Sequence, residues 1–373
     1  MDIKNLIKDL DKKNITIGVV GSHSALDVCR GAKDLGFRTL VVVEKERDKT
    51  YAKYYKSEDG LGCVDEVLYV ETFKDLLEVE VQQKLREKNV IFVPHRSFEV
   101  YLNDYDGIEN NFAVPMFGNR FLLKVEERGV TPNQYDLMDK AGIKYPKVFK
   151  DPKAIDRLCI VKVLEKERGF ERANFLVNSY PEFKIKSEER MVNGEFTKEQ
   201  LNKAVIEEFF IGVQINFNFF YDPINGKLEL IGTDTRRQTN FEGIYRLSQQ
   251  YQDDFQNMGG RIKYEEASHV PATVLESMLE QAFELGEKFV KASKEMYTPG
   301  VIGPFGLQTM IIPGPPKKEI IVFDISPRMP GSPGIFATPY SGYLYGENIS
   351  MGKRVAMEIK DAVESDQLER ILT

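Results

Sequence analysis

The first third of the chain alternates uninterrupted apolar runs with helical segments, and few folds accept such a pattern. The strand-like runs are residues 15–20, 39–43, 66–70 and 89–93. Residues 24–35 and 73–86 have helical patterns instead. Strands that lack polar alternation and are separated by helices predict a parallel sheet that is covered on both faces. We therefore expect an α/β unit at the start of the chain.

Two of the three histidines follow strands of this predicted sheet. His23 follows the first strand, between Ser22 and Ser24, while His95 follows the fourth strand. Ligands of such sheets bind beyond the carboxyl ends of the strands, and Ser97 lies near that edge as well. Hydroxyl and small residues there let backbone N–H groups approach a phosphate. We predict a polar pocket at this edge; the alternative is that Ser22 or Ser24 only caps a helix.

The rest of the chain has an α+β pattern. Residues 213–221 alternate polar and apolar side chains, as in a half-buried strand, and a turn over 222–226 leads to a partner strand. An amphipathic helix is predicted over residues 272–297, with His269 in front of it as a structural residue. A polar joint marked by proline at residues 126–132 separates this part from the α/β unit. The expected units are residues 1–125, 126–204 and 205–373.

The segment from Ile320 to Arg328 carries the clearest chemical signal. Apolar residues lead to Asp324, and a carboxylate at the end of a buried strand is costly unless a cation pairs with it. Just upstream, residues 303–308 end in Gln308, a second oxygen ligand. On adjacent antiparallel strands Gln308 and Asp324 would face one Mg²⁺, with Arg328 beside it for phosphate oxygens. The alternative is a simple ion pair between Asp324 and Arg328.

Further charged groups suit an ATP-dependent enzyme. Lys162 ends a short apolar run and is a candidate phosphate ligand, because phosphoryl transfer needs cations on the phosphate oxygens. A charged loop over residues 165–172 follows it, and the alternative is that this loop is merely solvated. Residues 205–212 then combine a strand-like run with two acidic residues, Glu207 and Glu208.

Composition narrows the class of protein. A chain of 373 residues exceeds the usual size of one hydrophobic core. Its 51 basic and 58 acidic residues give a net charge of −7 without a basic stripe, which argues against a nucleic-acid partner. The three cysteines lack metal-site spacing and indicate reduced thiols in a cytoplasmic protein. We expect no membrane span and no signal peptide.

The order of these segments resembles the ATP-grasp superfamily and, within it, an archaeal family of formate-dependent ligases of purine synthesis. The likeness spans nearly the whole chain. It rests on residues 21–24, 93–98, 114–120, 206–208, 302–308 and 340–352. It implies an ATP-grasp fold preceded by a Rossmann-like domain, with residues 126–204 and 205–373 as its small and large subdomains. It also implies a homo-oligomer, a trimer or a hexamer.

The resemblance implies a reaction and its cofactors. ATP would phosphorylate formate to formyl phosphate, and the amine of 5-aminoimidazole-4-carboxamide ribonucleotide would then attack this intermediate. The expected cofactors are ATP and Mg²⁺, or Mn²⁺ in its place, and the expected partners are these small molecules alone. An acyl phosphate hydrolyses readily, so the site must exclude water.

The resemblance also implies roles for single residues. Gln308 and Asp324 match the metal ligands, and Lys162 matches the lysine on the nucleotide phosphates. Lys162 and Arg328 are therefore the expected catalytic residues. The expected adenine hinge consists of Glu207, Glu208, Phe209 and Phe210, with Gln214 near the ribose and with His23, Ser97 and Asn240 on the ribonucleotide substrate.

Three departures from the family pattern suggest a divergent paralogue. The loop at 165–172 is poor in glycine, Arg96 stands where the family has glycine, and Asp324 replaces a glutamate. Glycine lets backbone N–H groups wrap a phosphate, so its loss impairs that mode of binding. A cation at position 96 would narrow the pocket or favour a more anionic ligand. The alternatives are therefore an ATP-grasp ligase for a different acid or amine, or a non-catalytic nucleotide-binding paralogue.

Overall fold

The chain begins with the four-stranded parallel sheet that the sequence predicts, in the order β3–β2–β1–β4. The computed structural model describes residues 3–163, 174–260, 266–314 and 316–373. The strands are β1 (Thr16–Val20), β2 (Arg38–Glu44), β3 (Glu66–Val70) and β4 (Val90–Phe92). The helices of this unit are α1 (Ile3–Lys8), α2 (Ala25–Asp34), α3 (Val79–Glu87), α4 (Arg96–Leu102) and α5 (Tyr105–Asn110). Every residue of β1 and β4 is buried, as expected for strands covered on both faces.

A small antiparallel sheet follows, in the order β5–β8–β6–β7. Its strands are β5 (Val148–Phe149), β6 (Cys159–Lys162), β7 (Asn174–Val177) and β8 (Val205–Glu208). The accompanying helices are α6 (Gln134–Ala141), α7 (Tyr180–Val192) and α8 (Lys198–Asn202). Because β8 pairs with β5 and β6, we propose a domain limit after Glu208 that keeps this sheet whole. The charged loop at 165–172 lies outside the described residues.

A larger antiparallel sheet of five strands comes next, in the order β11–β10–β9–β12–β13. Its strands are β9 (Val213–Asp222), β10 (Lys227–Gln238), β11 (Glu266–Pro271), β12 (Gly303–Ile312) and β13 (Glu319–Ser326). Its helices are α9 (Phe241–Tyr245), α10 (Gln249–Asn257) and α11 (Leu279–Met296). The predicted alternation in β9 is confirmed, because Phe217 and Phe219 enter an apolar core with Phe289 of α11. One expectation was wrong: α11 begins at Leu279 and not at residue 272. His269 lies in front of this helix, within β11.

The C-terminal segment returns to the first sheet. It contains α12 (Tyr340–Tyr345) and α13 (Met351–Glu364), and Val355 of α13 shares an apolar core with Val19 of β1. At the last residue, Thr373 and Met116 exchange backbone hydrogen bonds of 2.8 and 2.9 Å. Within the described residues, no helix has both the length and the apolar character needed to cross a membrane.

Candidate active site

A row of polar side chains crosses the large sheet. The strand register pairs Asp324 of β13 with Gln308 of β12, Gln308 with Asn216 of β9, and Asn216 with Asp234 of β10. Gln308, Asn216 and Asp234 are at most 4% exposed. Alternate residues of a strand face opposite sides of the sheet. The apolar neighbours of these polar residues along each strand therefore pack into the core, while the polar row faces away from it. Burying polar groups in such a row requires partners for each of them.

Asp324 is an ionised carboxylate held by two side chains, one from the joint before the small sheet and one from the start of α6. Its Oδ1 accepts hydrogen bonds from Arg128 Nη2 at 3.1 Å and from Gln134 Nε2 at 2.9 Å. Burial alone would raise the pKa of Asp324, but the Arg128 charge and the Gln134 hydrogen bond outweigh it and lower this pKa. The partner of Asp324 is therefore Arg128, and the predicted alternative of an Asp324–Arg328 pair does not describe this site.

Two amide oxygens in the row have no hydrogen-bond partner among the described residues. Gln308 donates through Nε2 to Asp324 Oδ2 at 2.8 Å and to Ser326 Oγ at 3.2 Å, which leaves its Oε1 buried and unpartnered. The Oδ1 atom of Asn216 is likewise buried and unpartnered. Amide and carboxylate oxygens are the ligands that Mg²⁺ and Ca²⁺ prefer, so this set of oxygens fits a hard divalent cation.

The fit of this site to a divalent cation depends on amide oxygens as much as on carboxylates. In the described parts of the chain, no group of three or more histidine, cysteine, aspartate or glutamate side chains could hold a metal ion. Asp324 would thus be the anionic ligand, with Gln308 as a neutral one. A site with one carboxylate and several neutral oxygens also suits a cation that arrives together with a phosphate chain.

The small sheet adds a cation above this row. Lys162 of β6 forms an ion pair with Glu207 of β8, whose side chain is buried. Glu207 also accepts a hydrogen bond from the Tyr135 hydroxyl and lies 3.4 Å from Arg128 Nε. Lys162 contributes to lowering the pKa of Asp324, so the two charges are close enough to interact. The structure therefore brings the predicted phosphate ligand and the predicted metal ligand together.

The predicted adenine hinge joins the two antiparallel sheets. Residues 209–212 connect β8 to β9, and Phe209 and Phe210 are half-buried there. The side chain of Glu208 pairs with Arg157 at 3.1 Å, while the Glu207 side chain belongs to the Lys162 pair described above. Gln214 follows in β9, two residues before Asn216 and on the same face of the strand.

The carboxyl edge of the parallel sheet carries the predicted substrate residues. The rings of His23 and His95 stack with their centroids 5.2 Å apart, and Ser97 Oγ donates to Ser22 Oγ at 3.0 Å. Burial, with the charges of His95 and Arg328, lowers the pKa of His23 to about 2. His23 is consequently neutral at physiological pH, and the loops after β1 and β4 bring their polar side chains into contact.

Arg328 and Arg96 belong to one ionic cluster between the sheets. The Arg328 guanidinium contacts both oxygens of Glu126, at 2.8 and 3.1 Å, and lies 3.4 Å from Glu99. Arg96 lies 3.0 Å from Glu127 and 3.3 Å from Glu99. Burial and the neighbouring Glu126 raise the pKa of Glu99. The charge of Arg96 is thus balanced by carboxylates, which weakens the argument that it reshapes the ligand pocket.

Asn240 lies apart from the buried rows. It is exposed in the turn between β10 and α9, where its φ of 59° puts it in the left-handed region. Asparagine tolerates this conformation better than most residues. Its contact with a ribonucleotide stays a prediction.

Sequence reasoning missed several residues that shape the site. Arg128 lies in the polar joint and Gln134 begins α6, and nothing in the local pattern of either segment indicates a role. Asp234 accepts hydrogen bonds from Asn216, and His269 Nδ1 lies 2.5 Å from its Oδ2. Burial lowers the pKa of His269, but Asp234 and Glu266 outweigh it and raise this pKa to about 9. The polar alternation of β9 was the one available signal for this part of the row.

The fold and the site define an ATP-grasp ligase. A small antiparallel sheet that carries Lys162 and a large antiparallel sheet that carries the metal-compatible polar row follow a parallel-sheet domain. The ADP complex of purK, N5-carboxyaminoimidazole ribonucleotide synthetase, shares this fold with a TM-score of 0.59 at 11% identity, covering 93% of this chain and 77% of that chain. The IMP biosynthesis protein PurP from Thermococcus kodakaraensis matches with a TM-score of 0.70 at 27% identity, covering 96% of this chain and 100% of that one.

The chain belongs to the family of 5-formaminoimidazole-4-carboxamide-1-(beta)-D-ribofuranosyl 5'-monophosphate synthetases. It is 38% identical to the synthetase of that name from Methanopyrus kandleri over 373 residues, which cover 100% of this chain and 99% of the relative. The family model described as "Domain of unknown function (DUF1297)" matches residues 182–373, and "Protein of unknown function (DUF1246)" matches residues 17–149. The family that the sequence motifs resemble is thereby confirmed.

Proposed function

We propose that this ligase joins formate to the amine of 5-aminoimidazole-4-carboxamide ribonucleotide in purine biosynthesis. A formate oxygen attacks the γ-phosphorus of ATP, and ADP leaves. The amine then attacks the carbonyl carbon of formyl phosphate, and phosphate leaves with formation of the C–N bond. The observation that carries this proposal is the row of Asp324, Gln308 and Asn216 beneath the Lys162–Glu207 pair, within a chain related along its whole length to synthetases of this name.

The nucleotide end of the site rests on four side chains. Lys162 supplies a positive charge to the phosphate oxygens, and its buried partner Glu207 fixes where the ammonium group lies. Gln308 and Asp324 would hold Mg²⁺, or Mn²⁺, which supplies charge neutralisation to the phosphate chain when bound. We assign adenine to the backbone of residues 207–210 and the ribose to Gln214.

The ribonucleotide end rests on the edge of the parallel sheet. A neutral His23 offers a ring nitrogen to a hydroxyl or a phosphate without bringing a second charge into the pocket. Ser97 adds a hydroxyl from the loop after β4, and Asn240 closes the rim. The Arg328 guanidinium is paired with Glu126, so it can contact phosphate oxygens only if it leaves this carboxylate or binds both groups at once. Its catalytic role therefore requires that ion pair to rearrange.

We further propose that the protein works in the cytoplasm as a trimer or a hexamer, as the family resemblance implies. Arg96 was the reason to consider a different acid or amine as the substrate. The carboxylates around its guanidinium balance its charge, which weakens this reason. Formate and the aminoimidazole ribonucleotide are therefore the preferred substrates.

A product assay tests the proposed function. The protein is incubated with ATP, Mg²⁺, formate and the ribonucleotide, and ADP and the formamido ribonucleotide are measured by chromatography. We expect both products in equal amounts, with ADP formation dependent on formate. ADP release only with another acid or amine would reject the substrates, and nucleotide binding without turnover over a panel of acids would reject the ligase activity.

A further inference from the structure

We propose that Asn216 is a third oxygen ligand of the divalent cation, and that Asp234 positions it for this role. The inference rests on the proposed ATP- and metal-dependent function and deepens it by adding a ligand outside β12 and β13. Asn216 lies on β9, directly opposite Gln308 in the strand register. Its Oδ1 atom is buried and has no hydrogen-bond partner among the described residues.

The orientation of the Asn216 amide follows from its neighbour. A carboxylate only accepts hydrogen bonds, so the amide group turned toward Asp234 must be the NH₂ group, which donates to Oδ2 at 2.8 Å. The amide oxygen is consequently directed away from Asp234. Gln308 repeats this arrangement on the next strand, with its NH₂ group on Asp324 and its oxygen unpartnered among the described residues.

Leaving such an oxygen buried and unpartnered is unfavourable in the ligand-free protein. A buried polar atom without a partner loses its hydrogen bonds to water and gains none in return, and two such atoms lie on directly opposed residues here. Both oxygens are neutral, hard donors of the kind that Mg²⁺ and Mn²⁺ accept, and Gln308, which lies between Asn216 and Asp324 in the row, contacts the ionised Asp324. A cation bound to all three residues would satisfy both amide oxygens at once.

Asp234 is the positioning residue of this arrangement. Besides Asn216, its carboxylate accepts hydrogen bonds from Asn218 at 2.7 Å and Ser332 at 3.1 Å, and it pairs with His269. These partners hold the carboxylate in place when Asn216 is removed. Replacing Asn216 should therefore leave the fold intact, and Asn218 offers a matched control because it is equally buried and bonds to the same carboxylate.

The test is the affinity of the protein–ADP complex for Mn²⁺, read from the electron paramagnetic resonance signal of free Mn²⁺. Asn216→Ala should weaken Mn²⁺ binding by about tenfold or more, since even outer-shell changes cost metal sites about 10–100-fold. Asn218→Ala should bind Mn²⁺ as wild type does, because Asn218 contacts Asp234 and is not a proposed ligand of the cation. ADP affinity without metal should be equal in all variants, which checks that they are folded.

The outcomes separate this inference from the proposed function. Wild-type Mn²⁺ affinity in Asn216→Ala would overturn the inference, and so would an equal loss in Asn218→Ala, because the effect would then pass through Asp234 packing. Asp324→Ala is measured alongside them. If Asp324→Ala loses Mn²⁺ while Asn216→Ala keeps it, only the third ligand is wrong; if Asp324→Ala also keeps it, the proposed metal site itself has failed.

Discussion

Single carboxylates organise this site by collecting hydrogen-bond donors from distant strands. The Asp234 carboxylate accepts hydrogen bonds from Asn216, Asn218 and Ser332, and it pairs with His269. Each of these partners comes from another element of the large sheet or its connections. A buried carboxylate that accepts several hydrogen bonds holds its donors in one orientation. The positions of the amide groups in the row thus follow from where the aspartates lie.

The charge of His269 predicts a pH dependence of stability. Its pKa is raised from 6.5 to about 9 in the folded protein, so its stabilising effect is complete below pH 6.5 and is lost as the pH rises through 9. A rise of this size corresponds to about 3 kcal/mol. From about pH 6 to about pH 10, the free energy of unfolding of wild type should fall by up to this amount relative to His269→Gln.

Urea unfolding at a series of pH values measures this difference. Glutamine retains an N–H donor for Asp234 but cannot become charged, so the comparison isolates the titration of His269. Parallel pH profiles for wild type and His269→Gln would show that the imidazole is not held in its charged form by Asp234 and Glu266.

Sequence reasoning predicted two residues of the candidate site that lie on regular strands. Asp324 was singled out as a carboxylate after an apolar run and Gln308 as a second oxygen ligand just upstream, and the strand register confirms that the two are direct neighbours. Arg128 and Gln134 were not identified, since they contact Asp324 across 196 and 190 residues of chain. Arg128 lies in an ordinary polar joint and Gln134 at the start of a helix, and only tertiary folding gives these residues a partner.

At the scale of elements, the contact between α2 and α13 depends on two glycines. An ideal Cβ on Gly31 would lie 2.2 Å from the backbone carbon of Gly352 and from the backbone nitrogen of Lys353. Backbone atoms cannot turn aside as a flexible side chain does. The two helices therefore touch at a distance that only glycine permits, and this contact ties the C-terminal helix to the parallel sheet.

Gly31→Ala should separate these helices. Forcing extra volume into a packed contact typically costs about 1–3 kcal/mol, and the unyielding backbone puts this change at the upper end. Thermal unfolding followed by circular dichroism measures the loss. Gly129→Ala is the matched control, because no described atom lies within 4 Å of where its added Cβ would be; equal melting temperatures in both variants would contradict the close contact.

The elements differ in how well their sequences predict them. The parallel sheet was predicted correctly because its four strands are continuous apolar runs, which are typical of sheets buried on both faces. Helix α11 was predicted too long, since the apolar spacing continues through the short turn at Glu276–Met278. Strand β11 was missed because its residues are largely exposed and carry no apolar face.

Across the whole molecule, ion pairs connect the three sheets at the site. Arg128 contacts Glu207 of the small sheet and Asp324 of the large sheet. Arg328, just after β13, reaches Glu99 on the helix that follows β4. Buried networks of this kind are costly to leave incomplete, so they favour one relative placement of the sheets. Sequence alone cannot foresee these pairs, because each joins segments far apart along the chain.

The fate of a formate oxygen tests the central claim most directly. In the proposed reaction, the formate oxygen that attacks the γ-phosphorus stays with phosphate when the amine displaces it. Turnover with oxygen-18-labelled formate, followed by mass spectrometry of the released phosphate, should therefore show one labelled oxygen per phosphate. Phosphate that carries no label, at a time when the formamido product has formed, would contradict a formyl phosphate intermediate and with it the ATP-grasp mechanism proposed for this site.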